Sequence, residues 1–491
     1  MSNVKKNLIL QTLYQILSVC LPLVTAPYLA RVLGAEALGI FSYTSSVVGY
    51  FCLFAFLGTI NYGTRTIASV RHDNRLLSKS FCSIYALQIL STFIFLLAYI
   101  FYLFFLCQDN KIIAVIQCFA LLNCMVDISW LFFGLENFTV TVTRNAVVKF
   151  ITLILIFVLV KNSNDLWLYT IIMTLGTVIS QLILWLKIPK NIHFKVPKFI
   201  EVKRHIYPNL MLFFPLLAVS IYHLMDKTML GILSSYEQTG FYYNADKLIN
   251  IPLIILTGIG TVILPRISAL IKENKLQFAD TLFIQTISGI SIISIAMGIG
   301  IAAIAKDFVP FFFGKGYEPC ILLTYIFVNV FIIKSFSHMS STLFLIPRHQ
   351  EKKLTNSILL GAICNIILNI LLIPNYGALG AVIGTLVAEL VACIWQFKFV
   401  VKSIKLKNVF FGCVVYLLFG IIMFVSVYFI SKISIDLFPI WIVILLEILI
   451  GGIIYSALCL IYWKTTKNPM LEQVFSLFYD IKIHLCKKYK I

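Results

Sequence analysis

Charge is scarce in this 491-residue sequence: 12% of the residues are Asp, Glu, Lys or Arg, and only 20 are acidic. A soluble protein carries about 25% charged residues, so an ordinary water-facing surface cannot be made from this composition. Metal and redox motifs are missing too. The twelve cysteines include no CxxC pair and no Cys/His cluster at ligand spacing, which removes zinc modules and dithiol chemistry. Most of them (Cys20, Cys52, Cys118, Cys124, Cys364, Cys393 and Cys459) sit in apolar stretches and read as small core residues. There is no P-loop and no DxD-like acidic pair on a sizeable loop, so ATP hydrolysis and glycosyl transfer have no home. No cofactor is expected. Together these gaps exclude a soluble enzyme, a disulfide scaffold, a nucleic-acid-binding protein and a disordered chain.

What is present is hydrophobicity, at 60% of residues, gathered in blocks of 20 or more. Each block is long enough to cross a hydrocarbon core of roughly 30 Å. Polar and Pro/Gly breaks divide them into fourteen predicted spans, at about 8–30, 38–62, 81–106, 112–134, 146–160, 166–186, 207–230, 240–264, 281–305, 319–345, 356–373, 379–398, 408–430 and 438–463. The expectation is an all-α polytopic membrane protein with about 14 transmembrane helices. The first block follows only Lys5 and Lys6 and is a full span, so no cleavable signal peptide is expected.

The net charge of +19 belongs to the loops. With the N-terminus placed in the cytoplasm, thirty Lys and Arg fall on the cytoplasmic side and six on the other, leaving Lys227, Lys247 and Lys334 within spans. That asymmetry predicts cytoplasmic termini, because basic residues are retained on the inner side. The longest predicted external loop, about 306–318, has no room for a folded domain. Residues 1–190 are expected to form one six-helix bundle and 207–400 a second. A basic linker at 191–206, with Pro197 in it, would lie along anionic headgroups. Two further helices would occupy 401–465. Beyond them, 466–491 places Met470, Leu471, Val474, Phe475, Phe478 and Ile481 at helical spacing ahead of Lys487, Lys488 and Lys490, the pattern of an amphipathic helix on the inner membrane surface.

The halves echo each other. Ala35-Glu36-Ala37-Leu38-Gly39-Ile40-Phe41 aligns with Tyr236-Glu237-Gln238-Thr239-Gly240-Phe241-Tyr242 at an offset of 201, and Thr143-Arg144-Asn145 faces Lys353-Leu354-Thr355-Asn356 at an offset near 211. Six spans per copy is an even number, so the copies run in the same direction, a parallel repeat about an axis along the membrane normal. Such repeats suit a carrier with a central site opened alternately to each side.

At this point the residues resemble a known family. Asp226-Lys227-Thr228-Met229-Leu230-Gly231, followed by Gly240-Phe241-Tyr242 and Ala245-Asp246-Lys247-Leu248, is similar to the DxxxLG…GxY…A.KL pattern of bacterial polysaccharide transporters. Pro252, Val262-Ile263-Leu264-Pro265-Arg266-Ile267-Ser268, Ile373-Pro374-Asn375-Tyr376-Gly377-Ala378-Leu379-Gly380-Ala381 and Asn61-Tyr62-Gly63-Thr64-Arg65 extend the match. The chain is identified as resembling the Wzx-type flippases of O-antigen or capsule repeat units, in the MOP superfamily with the MATE exporters and the lipid II flippase. The resemblance implies a V-shaped, MATE-like pair of six-helix bundles in the bacterial inner membrane. It also implies undecaprenyl-pyrophosphate-linked oligosaccharide as substrate, and a polysaccharide polymerase and chain-length regulator as partners beside membrane lipids. A machine is needed for that task. Moving a single ion into hydrocarbon costs on the order of 20 kcal/mol in the idealised Born limit, and a glycan adds many hydroxyls that would lose water.

Ionisable residues inside spans are the candidates, since one at the bilayer centre costs at least about 2.5–3.5 kcal/mol on insertion scales. Lys334 lies deep in the tenth span with His338 one turn on along the same face; it either binds an anion or snorkels. Lys227 has Asp226 beside it and His223 one turn before, so a pyrophosphate or simply Asp226 is its partner. Asp246 and Lys247 pose the same alternatives. Arg31 closes the first span in a stretch that resembles the lipid II flippase, which implies phosphate binding through a planar fork; an interfacial arginine is the rival. Arg65 and Arg266 stand at the predicted cytoplasmic edge, where they either capture a headgroup or merely obey the charge bias. Asp127 and Glu389 are isolated acids at comparable places in the two halves, suited to carrying protons or pairing lysines. Asn365 and Asn369 are expected to bond between helices. Two rival functions each demand a feature of their own. A MATE-like exporter of cationic drugs wants net acidic residues in its cavity, and a membrane-embedded polymerase or ligase wants a large external loop. Neither feature is present, and no enzyme activity is expected.

Overall fold

In hydrocarbon every backbone N–H and C=O must be satisfied within its own segment, so apolar runs of this length have to fold as helices. The computed structural model describes residues 2–467, with the side chains of residues 2–20, 214–216, 218–219 and 221–223 outside that description. The predicted amphipathic tail therefore lies outside the described residues. Along the chain run α1 (Ser2–Phe56), α2 (Thr59–Val70), α3 (Asn74–Phe105), α4 (Lys111–Ile116), α5 (Cys118–Val126), α6 (Ser129–Gly134), α7 (Phe138–Leu159) and α8 (Leu166–Trp185). They are followed by α9 (Phe199–Leu233), α10 (Tyr236–Lys272), α11 (Leu276–Phe313), α12 (Pro319–Ser340), α13 (Glu351–Tyr376), α14 (Ala378–Ser403), α15 (Lys407–Ser434) and α16 (Ile440–Thr465). The chain is a multi-pass, all-helical membrane protein.

Among the described residues, twelve segments rather than fourteen are long and apolar enough to cross a membrane. The difference has two sources. The first segment, Leu21–Val70, has 50 residues and takes in the second predicted span together with the end of the first, as helices joined across breaks rather than one rod. Gly34 divides it with a left-handed φ of 80°, a conformation costly to any residue with a Cβ. The seventh predicted span lies in α9, which is not among the twelve.

Two further spans depart from their predicted form. The fourth is not one helix but α4, α5 and α6, interrupted at Gln117 and again at Asp127. Asp127 leaves the helical region at ψ 111° and accepts a 2.7 Å hydrogen bond from the Ser129 N–H, so it restarts the chain as α6. The carbonyls of Cys124 and Asp127 at this break are met by Gln88 Nε2 at 2.6 and 2.8 Å, while Gln88 Oε1 accepts the indole N–H of Trp130 at 2.9 Å. Buried amides placed this way satisfy backbone groups that lipid would leave bare. The fifth predicted span, 146–160, begins earlier, within α7, which draws Arg144 into the helix.

The chain forms two compact units: Met1–Ile254 with Phe312–Ile326 and Glu351–Ala392, and Ile255–Phe311 with Phe327–Gln350 and Cys393–Ile491. In the first, Trp130, Phe81, Phe132 and Ile67 form a fully buried core. Gly63 lets the Trp130 ring come close, since a Cβ there would lie 2.6 Å from it. In the second, Ile295, Tyr416, Met423, Tyr455 and Trp463 join α15 and α16 to α11. The polar tips inside this core are met: Trp463 Nε1 donates to the Tyr416 hydroxyl at 3.1 Å, and the Tyr455 hydroxyl to the Ile292 carbonyl at 3.1 Å.

Candidate functional site

The two segments that echo each other in sequence lie against one another. In the first unit, α1 crosses the start of α10 so closely that a Cβ on Gly39 would lie 1.6 Å from the Tyr236 carbonyl oxygen. A Cβ on Gly240 would lie 1.9 Å from that of Ala35. Ala35 and Tyr236, like Gly39 and Gly240, are 201 residues apart, so the contact is reciprocal at the offset of the sequence echo. Small residues at a helix crossing are what allow backbones to touch. Nearby, Ser46 Oγ lies 2.8 Å from Thr228 Oγ1, tying α1 to α9.

Near this crossing two acids on different helices, Asp226 on α9 and Asp246 on α10, have different surroundings. Asp226 on α9 is buried and accepts hydrogen bonds from the Tyr242 hydroxyl (2.6 Å), Asn369 Nδ2 (2.7 Å) and the Thr385 hydroxyl (2.8 Å). It fastens α9 to α10, α13 and α14, and Asn369 makes the interhelical bond expected of it. Lys227 does not pair with its neighbour in sequence. Its ammonium lies 3.3 Å from Asp246 Oδ2 on α10, with the two side chains 22% and 25% exposed. Successive residues in a helix point about 100° apart, so one faces the Asn369 side and the other faces Asp246. Asn250 Nδ2 holds the second oxygen of Asp246 at 2.8 Å. Lys247 stands over the ring of Tyr243, 3.9 Å from its centroid, and Lys227 stands 5.6 Å from the same ring. Tyr243 is in turn hydrogen-bonded to Tyr169, which packs on Phe41 at 4.7 Å. The result is a cluster of two ammonium groups, one carboxylate and a hydrogen-bonded pair of tyrosines on membrane-length helices. It carries one net positive charge.

The first unit also encloses a cavity of about 380 Å³ within its N-terminal helices, lined by Asn123, Asn145, Lys149, Thr152, Thr177 and Gln181 among others. Arg144, buried beside it, donates to the Ser180 carbonyl (2.9 Å), Gln181 Oε1 (2.6 Å) and Asn145 Oδ1 (2.7 Å). Sequence reasoning counted both cations, Arg144 and Lys149, on the cytoplasmic side and named neither as a candidate, although Lys149 falls in the predicted fifth span, 146–160. For Lys149 the signal was there, since it stands between Val148 and Phe150; Arg144, between Thr143 and Asn145, gave none.

The other predicted residues are placed as follows. Arg31 is exposed, and its aliphatic stem rests on Gly314. Arg65 on α2 and Arg266 on α10 are exposed. Glu389 is buried on α14. Asp127 takes part in the helix break described above. In the second unit, Lys334 is half-buried on α12, and His338, one turn on, lies 3.4 Å from Thr342 Oγ1, with the backbone of Gly260 close by. The side chain of His223 lies outside the described residues. The same unit buries an acid that sequence reasoning passed over: Glu447 on α16, facing Asp307 and Ser431.

Comparison with known proteins bears on the family and the fold. A family model described as polysaccharide biosynthesis protein matches residues 4–271, more than half of the chain. A protein of Shigella dysenteriae named as an O-antigen transporter is 26% identical over 408 residues, covering 80% of this chain and 99% of its own length. Its namesake in Escherichia coli K12 is 22% identical over 79% of this chain. Among solved structures, the lipid II flippase MurJ in an inward closed conformation superimposes with a TM-score of 0.68 at 16% identity, covering 94% of this chain and 99% of that one. An inward-facing multidrug resistance MATE transporter of the MOP superfamily gives 0.62 at 14% identity, over 79% and 95%. These structures share the fold.

Proposed function

This chain belongs to the polysaccharide biosynthesis protein family, and from that premise we infer that it flips undecaprenyl-pyrophosphate-linked oligosaccharide across the bacterial inner membrane. The repeat unit is of the O-antigen or capsule kind, and movement is by alternating access, outward, with both termini cytoplasmic. The relatives named as O-antigen transporters support the substrate class. The observation that carries the reading is the cluster of Lys227, Lys247, Tyr243 and Asp246. Two ammonium groups with one carboxylate leave a positive site within membrane-length helices, and a pyrophosphate arriving there would supply the missing anion. Charge at such depth is costly unless it is paired, so a ligand that completes the pairing binds where a cation is repelled. Tyrosine faces beside the lysines suit the apolar faces of sugar rings. Lys334, Arg31, Arg65 and Arg266 are proposed as further contacts along the path of the phosphates. The membrane potential, negative inside, would favour outward movement by about 2.3 kcal/mol per negative charge per 100 mV. A polymerase and a chain-length regulator are the proposed recipients of the product.

A second reading is kept by the MATE neighbour, as export of cationic compounds. Ligand binding separates the two. In detergent, the purified protein should bind the undecaprenyl-pyrophosphate oligosaccharide, followed by intrinsic tryptophan fluorescence. Lys227→Ala should weaken that binding at least about tenfold, a loss of about 1.4 kcal/mol, while a cationic dye should give no saturable signal. Dye binding with no response to the oligosaccharide would reverse the assignment.

A further inference from the structure

The linker is not a loose strap. His193 N–H donates to Ser78 Oγ at 3.0 Å, Asn191 Nδ2 to Asn74 Oδ1 at 2.7 Å and Lys195 N–H to Cys82 Sγ at 3.5 Å, so residues 191–195 run docked along the first turns of α3. Phe194 anchors the same stretch against Phe81 and Trp185. Between this segment, α3 and the start of α9 lies a recess of about 560 Å³, lined by Arg75, Ser78, Lys79, His193, Lys195 and Lys198, with Glu201 at its rim.

Four permanent cations face one carboxylate there. Glu201 is already engaged: Lys79 lies 2.8 Å from one oxygen, and the Lys198 N–H donates to the other at 3.0 Å. The hydrogen bond from Lys79 holds this carboxyl below the ordinary range, so it is ionised at neutral pH and leaves the balance of the recess cationic. Among the described residues, Arg75 and Lys195 pair with no carboxylate. Around the recess the surface turns apolar. Leu76, Phe194, Val196, Phe199 and Ile200 are 48%, 60%, 97%, 73% and 62% exposed. Basic side chains at headgroup level beside apolar ones that reach the acyl region are the two halves of a phospholipid's own surface.

We propose that this recess binds the phosphate headgroup of an anionic phospholipid, its acyl chains lying over the exposed apolar residues. The shared chemistry is a phosphate group. A free phosphate or pyrophosphate would use the cations but leaves the apolar fringe without a role, and for that reason the lipid is the source. The lipid clasps α3 to the start of α9 and stiffens the segment that joins the two halves of the sequence. The site is separate from the Lys227 cluster and does not depend on the translocation reading.

The test uses the full-length protein in neutral detergent, titrated with dioleoyl phosphatidylglycerol and followed by native mass spectrometry. Phosphatidylcholine is one comparison and inorganic pyrophosphate, as competitor, another. The expected result is one saturable phosphatidylglycerol adduct, little phosphatidylcholine retention and no displacement by millimolar pyrophosphate. The combined variant Arg75→Gln, Lys79→Gln, Lys195→Gln and Lys198→Gln should weaken the adduct at least about tenfold. Removing charge elsewhere, with Lys402→Gln, Lys405→Gln and Lys407→Gln, should leave it unchanged. Should the combined variant not fold, Lys195→Glu alone, on the linker, is expected to weaken the adduct severalfold. Equal retention of both lipids, wild-type affinity in the variants, an equal loss in the remote triple variant, or displacement by pyrophosphate would each overturn the proposal.

Discussion

Valine at Gly39 or at Gly240 is expected to abolish glycan translocation and to destabilise the protein by at least about 3 kcal/mol, the upper part of the range for overpacking. The reason is geometric. A Cβ at either position would fall within 2 Å of a backbone carbonyl oxygen, 1.6 Å at Gly39 and 1.9 Å at Gly240. A flexible side chain can swing aside from a new methyl group, but the backbone of an opposing helix can yield only by moving the helix. α1 and α10 would have to part, and Asp246 would move with α10 away from Lys227 on α9. Thermal unfolding in detergent checks the stability, and glycan exposure in cells checks the transport. Gly258→Ala is the control, because a Cβ there meets no atom within 4 Å. It should be neutral or stabilise by up to about 1 kcal/mol, because alanine is the better helix former.

The second large effect divides two adjacent residues by what is measured. Asp226→Ala removes the acceptor of three hydrogen bonds and leaves the donors of Tyr242, Asn369 and Thr385 buried without it. Each buried donor left unmet costs about 1–3 kcal/mol. The Thr385 hydroxyl can turn to the Ala381 carbonyl at 3.0 Å and Tyr242 to Thr385 at 3.2 Å, which leaves chiefly Asn369 short of an acceptor. The variant should therefore lose about 1–3 kcal/mol and accumulate poorly. Lys227→Ala should do the opposite. Its ion pair is partly exposed, so the change in stability should stay within about 1 kcal/mol while substrate binding falls. If both variants unfolded alike, Lys227 would be a structural partner of Asp246 and nothing more. If both folded and both failed to bind, Asp226 would belong to the substrate site.

The fold was legible because it rests on length and polarity, which survive any packing: apolar blocks separated by Lys, Asn and Pro returned as helices almost one for one. What the sequence marked unevenly was where helices break. Gly34, between the first two predicted spans, does break the chain, with φ 80° and ψ 174°, whereas the break at Asp127 has neither proline nor glycine to mark it. In the candidate site, residue types were visible and partners were not. Asp226 and Lys227 are adjacent in sequence and look like a pair, yet helical phase turns them to different neighbours, which spacing alone could have shown. Arg144 was hidden for another reason: a basic residue near a predicted loop looks like topology until the carbonyl of Ser180 and the amide of Gln181 are seen around it. The crossing of Gly39 and Gly240 lies between these cases. The echo was readable at an offset of 201, but that its two copies touch is a fact of packing.

The most direct measurement is flipping itself. Purified protein is reconstituted into liposomes holding labelled undecaprenyl-pyrophosphate oligosaccharide, and exposure of the glycan to a glycosidase outside is followed over time, with and without an imposed membrane potential. Protein-dependent exposure, slowed at least about tenfold by Lys227→Ala, is the result predicted here. Exposure no faster than in protein-free liposomes, under either potential and with several glycans, would contradict it.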